Sequence, residues 1–174
     1  MTPTEQESRF RRWLEEHAGL VMKVVRSFAA APADSDDLLQ EILLQVWLSL
    51  PSFRAESKAT TWLYRVALNT AMVWKRRESK HRERRGALPI EIEFVDRAPT
   101  PDEAHSEREN LERLYAVVRA LPPADRALVL LYLDGLSYAD MAEVVGISES
   151  NVGVRLNRIK KVLSEKVKGE HGDA

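Results

Sequence analysis

The chain of 174 residues has no cysteine. Disulfides and thiolate metal sites are therefore excluded, and the composition suits a reducing compartment. It also lacks a long hydrophobic run. No stretch approaches the roughly 20 uninterrupted apolar residues that span a bilayer. The opening MTPTEQESRFRRWLEEH is polar and charged, without the apolar segment of a signal peptide. These absences predict a soluble, cytoplasmic protein. Glycine is scarce, at seven residues, and there is neither a Gly-rich phosphate loop nor a nucleophile motif. The histidines His17, His81, His105 and His171 share no ligand spacing, so no metal or cofactor is expected.

A predominant charge is missing too: the formal net charge is −1. An even distribution would argue against a nucleic-acid partner, but the charge is segregated. Lys75 to Arg85, KRRESKHRERR, sums to +5, and Glu149 to Lys168 sums to +4. Between them, Gly86 to Glu109 sums to −5. The total hides two basic patches around an acidic segment.

Proline and glycine then divide the chain. Up to about Arg85 the pattern is helical, broken at FAAAPADSDD and LPSFRAESK. GALPIEIEFVDRAPTPDEA has the composition of a flexible linker, and IEIEFV within it is the one strand-like run. Helical periodicity returns near Ser106 and is punctuated at LPPAD, LDGLS and VGISES. The expected fold is all-α, with two small helical domains at 1–85 and 109–168, a linker at 86–108 and a tail at 169–174.

The helix opening at DSDD carries Leu39, Ile42, Leu43, Val46 and Leu50 on one side as a core stripe. The opposite side holds Asp37, Gln40 and Glu41, but also Leu44 and Leu48. Periodicity leaves two readings open there: scattered exposed leucines, or a docking surface framed by acids and amides. In the next helix, TTWLYRVALNTAMVWKRRESK, the residues Leu63, Ala67, Thr70, Ala71 and Trp74 form the expected buried side. Trp62, Arg65, Asn69, Val73 and Arg76 form the other. An indole, an amide and arginines on one face suit single-stranded nucleic acid, and they equally suit a solvated basic face with a capping tryptophan.

SYADMAEVVGISESNVGVRL carries a more specific signal. Ser137 as N-cap with Asp140 in the third helical position resembles a capping box. A short helix follows, with Ala142 at a crossing point, then a tight turn at Gly146 and Ile147, then a second N-cap at Ser148. This is the layout of a helix-turn-helix, whose second helix enters the major groove. In that helix Val152, Leu156, Ile159 and Leu163 make the core stripe, with Ser150, Asn151, Val154, Asn157, Arg158 and Lys161 opposite. The outer set contains the groups that read base edges and phosphates. Gly153 lies at the flank of this face, where a helix-interior glycine costs roughly 1 kcal/mol relative to alanine. The expectation is that it lets the helix sit closer to the DNA backbone.

These pieces in this order resemble the extracytoplasmic-function sigma factors, the minimal two-lobe class of bacterial sigma subunits that direct RNA polymerase to promoters. DDLLQEILLQVWLSLPSFR, TWLYRVALNTA and LPPADRALVLLYLDGLSYADMAEVVGIS carry the resemblance, which covers most of residues 34 to 165. It implies that Asp37, Leu38, Gln40, Glu41, Leu44 and Leu48 dock on core RNA polymerase, chiefly on the coiled coil of its β′ subunit, with β as a further partner. It implies that Ser52, Phe53, Arg54, Ser57 and Lys58 lie in a loop capturing a flipped minus-ten base. Trp62, Arg65, Asn69, Val73 and Arg76 would hold the melted strand. Ser150, Asn151, Gly153, Val154, Arg155, Asn157, Arg158 and Lys161 would meet the minus-thirty-five duplex. Relatives often carry Lys or Arg where Gly153 stands and a small polar residue where Val154 stands. The resemblance further implies that the linker threads toward the polymerase channel, that an anti-sigma factor, often membrane-anchored, holds the protein inactive, and that the protein is not an enzyme.

Two other classes fit parts of the sequence. A helix-turn-helix regulator with a ligand-sensing or dimerising N-terminal lobe accounts for the second half but not for the face of Trp62, Arg65 and Asn69. A helical metal-dependent hydrolase would use Asp37 and Glu41, which are i, i+4 on one face, but Gln45 stands where a further ligand would continue the set.

Overall fold

Thr2 opens the first helix with a reciprocal capping box. Its hydroxyl accepts from Glu5 N at 3.3 Å and its own N–H donates to Glu5 Oε2 at 2.7 Å, with Pro3 pre-set in the first helical position. The computed structural model describes residues 2–54, 57–84 and 103–170, so the linker over 86–102, including IEIEFV, lies outside the described residues. Seven α-helices are described: α1 (Pro3–Phe28), α2 (Pro32–Ser49), α3 (Ala59–Arg84), α4 (Glu103–Arg119), α5 (Pro123–Leu133), α6 (Tyr138–Val145) and α7 (Glu149–Glu170). A single 3-10 turn, Leu50–Ser52, follows α2. The described part is all-α, and residues 103–108, expected as linker, already belong to α4.

Helices α1, α2 and α3 pack as one layer. Val21, Val24, Val25 and Phe28 of α1 meet Leu38, Ile42 and Val46 of α2 and Leu63, Ala67, Leu68, Ala71 and Trp74 of α3. In α1 the backbone leaves the helical region at His17 (φ −127°, ψ 16°), dividing the stretch that carries Phe10 and Trp13 from the one that carries the valines. Helices α5, α6 and α7 form the second layer around Leu128, Leu131, Met141, Val144, Val152, Leu156 and Ile159.

The two halves share one continuous core, which sequence periodicity, read helix by helix, does not foresee. Helix α3 packs on α6 and α5, and α1 packs on α4 and α5. Polar groups knit the same boundary. Asp134 accepts from Tyr64 Oη and from Lys23 Nζ, the latter at 2.5 Å. Burial, reinforced by Asp134, pushes the Tyr64 phenol well up from its ordinary range, which keeps it a donor. Arg126 sits 5.3 Å over the Phe28 ring and donates to the carbonyls of Leu121 at 2.8 Å and Ser27 at 3.4 Å. Burial, with Arg119 nearby, pushes its guanidinium down to about 10.

This second layer corrects the pattern expected for α3. Tyr64 and Leu68 are buried beside the expected stripe, and so is Trp62 at 6 % exposure. An isolated helix with one neighbour leaves half its circumference wet; the first half of α3 is flanked by α1 and α2 and also by α5 and α6.

Candidate functional site

On α2 the four-residue spacing of Leu38, Ile42 and Val46 selects the buried stripe, and all three are at most 1 % exposed. Leu38, which the resemblance placed among the docking residues, is thus a core residue, while Leu39 and Leu43 are only half-buried. Leu44 and Leu48 lie opposite, 53 % and 60 % exposed. Asp37 and Gln40 are exposed beside them. The Asp37 carboxylate accepts from Trp74 Nε1 at 2.7 Å, and Glu41 is ion-paired with Arg77 of α3. Each carboxylate of the hydrolase alternative is therefore engaged by α3. Among the described residues no group of three or more His, Cys, Asp or Glu side chains is placed to hold a metal.

The turn after α2 and the start of α3 enclose a cavity of about 260 Å³ lined by Ser52, Phe53, Arg54, Ser57, Trp62 and Arg65. Ser52 Oγ donates to Ser49 O at 2.6 Å and tightens the turn that leads into it. Trp62 is a wall of this cavity and not an open stacking platform. Its ring stands edge-on to Trp13 and to Phe53, both at 5.5 Å, and Trp13 stands edge-on to Phe53 at 4.9 Å. Such edge-to-face trios fix ring orientation. Further along α3, Asn69, Val73 and Arg76 are exposed and continue from the mouth of the cavity.

Two cations at this mouth meet the other half of the molecule. Lys58 is 3.3 Å from Asp140, and Arg65 is 3.6 Å from Glu143, both acids on α6. The Ser137 hydroxyl, with Lys58, holds the Asp140 carboxyl below its ordinary value, so it is a carboxylate at neutral pH.

The helix-turn-helix is built by its caps. Ser137 Oγ accepts from Asp140 N at 3.1 Å and Ser148 Oγ from Asn151 N at 3.3 Å. Between them Gly146 ends α6 in the left-handed region (φ 75°), and Ala142 O takes the N–H groups of Gly146 and Ile147 at 2.9 and 3.2 Å. Val152, Leu156 and Ile159 are buried, with Leu163 packed half-buried at their end. That leaves Ser150, Asn151, Val154, Asn157, Arg158 and Lys161 on the outside. Arg155 turns back toward α5, where it pairs with Asp125 at 2.7 Å. Gly153 faces α6: a Cβ there would stand 3.5 Å from the Tyr138 ring. The glycine's neighbour is an aromatic of the same domain, so close approach to DNA is not needed to account for it.

Sequence periodicity missed Trp13, Asp125, Tyr138, Asp140 and Glu143 as partners of these surfaces, because each acts across a tertiary contact. The aromatic spacing of Trp13, Phe53 and Trp62 was the one available hint.

Comparison with known proteins gives the same division. Residues 13–81 match the family model described as Sigma-70 region 2, and residues 111–163 match Sigma-70, region 4. The chain is 30 % identical to the ECF RNA polymerase sigma-E factor of Haemophilus influenzae, covering 90 % of this chain and 84 % of that one. It is 32 % identical to the ECF RNA polymerase sigma factor SigX of Bacillus subtilis, over 74 % and 68 %. In fold it is similar to the sigma factor RpoE of Bartonella quintana in complex with the anti-sigma factor NepR, with a TM-score of 0.72 at 20 % identity, covering 95 % of this chain and 99 % of that one. It is also similar to CnrH in complex with the cytosolic domain of CnrY, with a TM-score of 0.67 at 21 % identity, over 97 % and 91 %.

Proposed function

Because the chain belongs to the extracytoplasmic-function family of RNA polymerase sigma factors, we propose that it divides transcription initiation among three of its surfaces. Leu44 and Leu48, framed by Asp37, Gln40 and Glu41, dock on core polymerase. The cavity of Ser52, Phe53, Arg54, Ser57, Trp62 and Arg65 takes one unstacked minus-ten base, and Lys58, Asn69, Val73 and Arg76 guide the strand leaving it. The outer face of α7 reads the minus-thirty-five element as duplex. The bond-making chemistry belongs to the polymerase.

The observation that carries this reading is the cavity itself: it is walled by aromatic rings, rimmed by cations, and built from the turn and helix start whose residues the sequence assigns to the melted strand. A base is an aromatic heterocycle attached to a phosphate, and this pairing of walls and rim answers both parts.

The reading also requires motion. Asp140 and Glu143 of α6 occupy Lys58 and Arg65, which the strand's phosphates need. The two halves therefore separate when the protein engages polymerase and promoter, and the closed form is a resting state. An anti-sigma factor holding the closed form would keep the protein inactive, a role supported by the likeness to RpoE in its complex with NepR. Among the described residues no helix is long and apolar enough to cross a membrane, which fits work in the cytoplasm.

The test is run-off transcription with purified core polymerase on a genomic promoter library. The expected outcome is discrete start sites that depend on the chain. A chain that binds upstream duplex as tightly alone as with core, and yields no start sites, is a regulator of the ordinary kind.

A further inference from the structure

Asp125 stands in the first turn of α5, only 6 % exposed, and faces two arginines of α7. Arg155 Nη2 donates to one carboxylate oxygen at 2.7 Å, and Arg158 Nη2 donates to both at 3.2 and 3.3 Å. A buried carboxylate needs a cationic partner, since an uncompensated charge out of water is costly. Arg155 at 2.7 Å already meets that need, and its side chain is 29 % exposed. Arg158 is surplus to it.

The geometry of the surplus arginine is unlike that of a plain structural ion pair. Arg158 touches Asp125 through one nitrogen at long range, and its side chain is 62 % exposed on the outer face with Asn151, Val154 and Asn157. A guanidinium has five N–H donors in a rigid fork, so the three on Nε and Nη1 are not used on the carboxylate. One end is tethered and the other faces outward. Free arginine side chains sample many rotamers, and a tether removes that freedom before DNA arrives.

We infer that Asp125 is a positioning residue for duplex recognition: it holds Arg158 as a base-edge reader and withholds Arg155 from the phosphates. The inference rests on the reading of α7 as the minus-thirty-five helix. Base-edge contacts specify sequence while phosphate contacts add affinity without it, so the carboxylate sets the ratio of the two. Removing its charge frees two cations for the DNA backbone. Non-cognate affinity should then rise and discrimination should fall.

The experiment uses the full chain with core polymerase. Duplexes selected by the wild-type holoenzyme from randomised upstream sequence are compared with scrambled ones over a salt series. Asp125→Asn should lower discrimination roughly tenfold, the lower range for one lost bidentate base contact, and steepen the salt dependence by about one unit for each phosphate gained. Asp125→Glu should restore part of the discrimination. Asp125→Asn added to Arg158→Ala should cost no further discrimination, because the aspartate acts through that arginine. Should Asp125→Asn not fold, Arg158→Lys supplies the test, since an ammonium keeps the charge without the fork; discrimination should fall roughly tenfold at unchanged melting temperature. The inference is overturned if a folded Asp125→Asn keeps wild-type discrimination and salt slope, or if Arg158→Lys discriminates as wild type does. A wild-type holoenzyme that selects no upstream sequence overturns instead the reading of α7 on which the inference stands.

Discussion

Gly153 and Trp62 show how single residues change meaning once their neighbours are known. The methyl group of Gly153→Ala would lie 3.5 Å from the Tyr138 ring, an ordinary van der Waals distance, and the helix would lose a glycine. The substitution should stabilise the protein by about 1 kcal/mol, raising the melting temperature by roughly 2–4 °C; an unchanged or lowered value in a thermal melt refutes the packing argument. Trp62 is 6 % exposed and locked by Trp13 and Phe53, so Trp62→Ala should cost roughly 3–5 kcal/mol in a denaturant titration. Loss of promoter opening in that variant would then report a damaged cavity as much as a lost base contact. Trp62→Phe, which keeps a ring in the wall, separates the two effects.

At the scale of elements, α2 presents two faces of opposite consequence. Its buried stripe of Leu38, Ile42 and Val46 belongs to the core, while Leu44 and Leu48 stand outside it. Leu44→Asp with Leu48→Asp should leave stability within about 0.5 kcal/mol, as exposed substitutions do. It should lower co-purification with core polymerase at least tenfold, the effect of removing the apolar centre of an interface. Undiminished co-purification would dismiss this face as the docking surface. Helix α3 could not be resolved so well from periodicity, because a wheel assigns one wet side to each helix and α3 has packed neighbours on both.

For the whole molecule, the governing feature is that the halves are closed on each other. Lys58–Asp140 and Arg65–Glu143 are exposed pairs, each worth little, but they hold the cations that a nucleic-acid strand would claim. Asp140→Lys with Glu143→Lys reverses both pairs and should favour the open form by about tenfold, equivalent to ~1.4 kcal/mol. Small-angle scattering should show a larger radius of gyration, and fluorescence anisotropy should show tighter binding of a single-stranded minus-ten oligonucleotide by the free protein. A variant as compact as wild type, with the same affinity, would mean that these acids do not guard the face.

By itself the sequence determined the helices, the turn at Gly146, the caps at Ser137 and Ser148, the outer face of α7 and the solvent face of α2. Each of these is a local matter of propensity, backbone sterics or the 3.6-residue period. The tertiary structure alone decided that Trp62 is a wall, that Arg155 and Arg158 converge on Asp125, that Gly153 lies under Tyr138, and that α6 covers the cations of α3. Those facts depend on which surfaces meet, and two helices with equally plausible wet faces can hide or expose them according to the layer that packs on top.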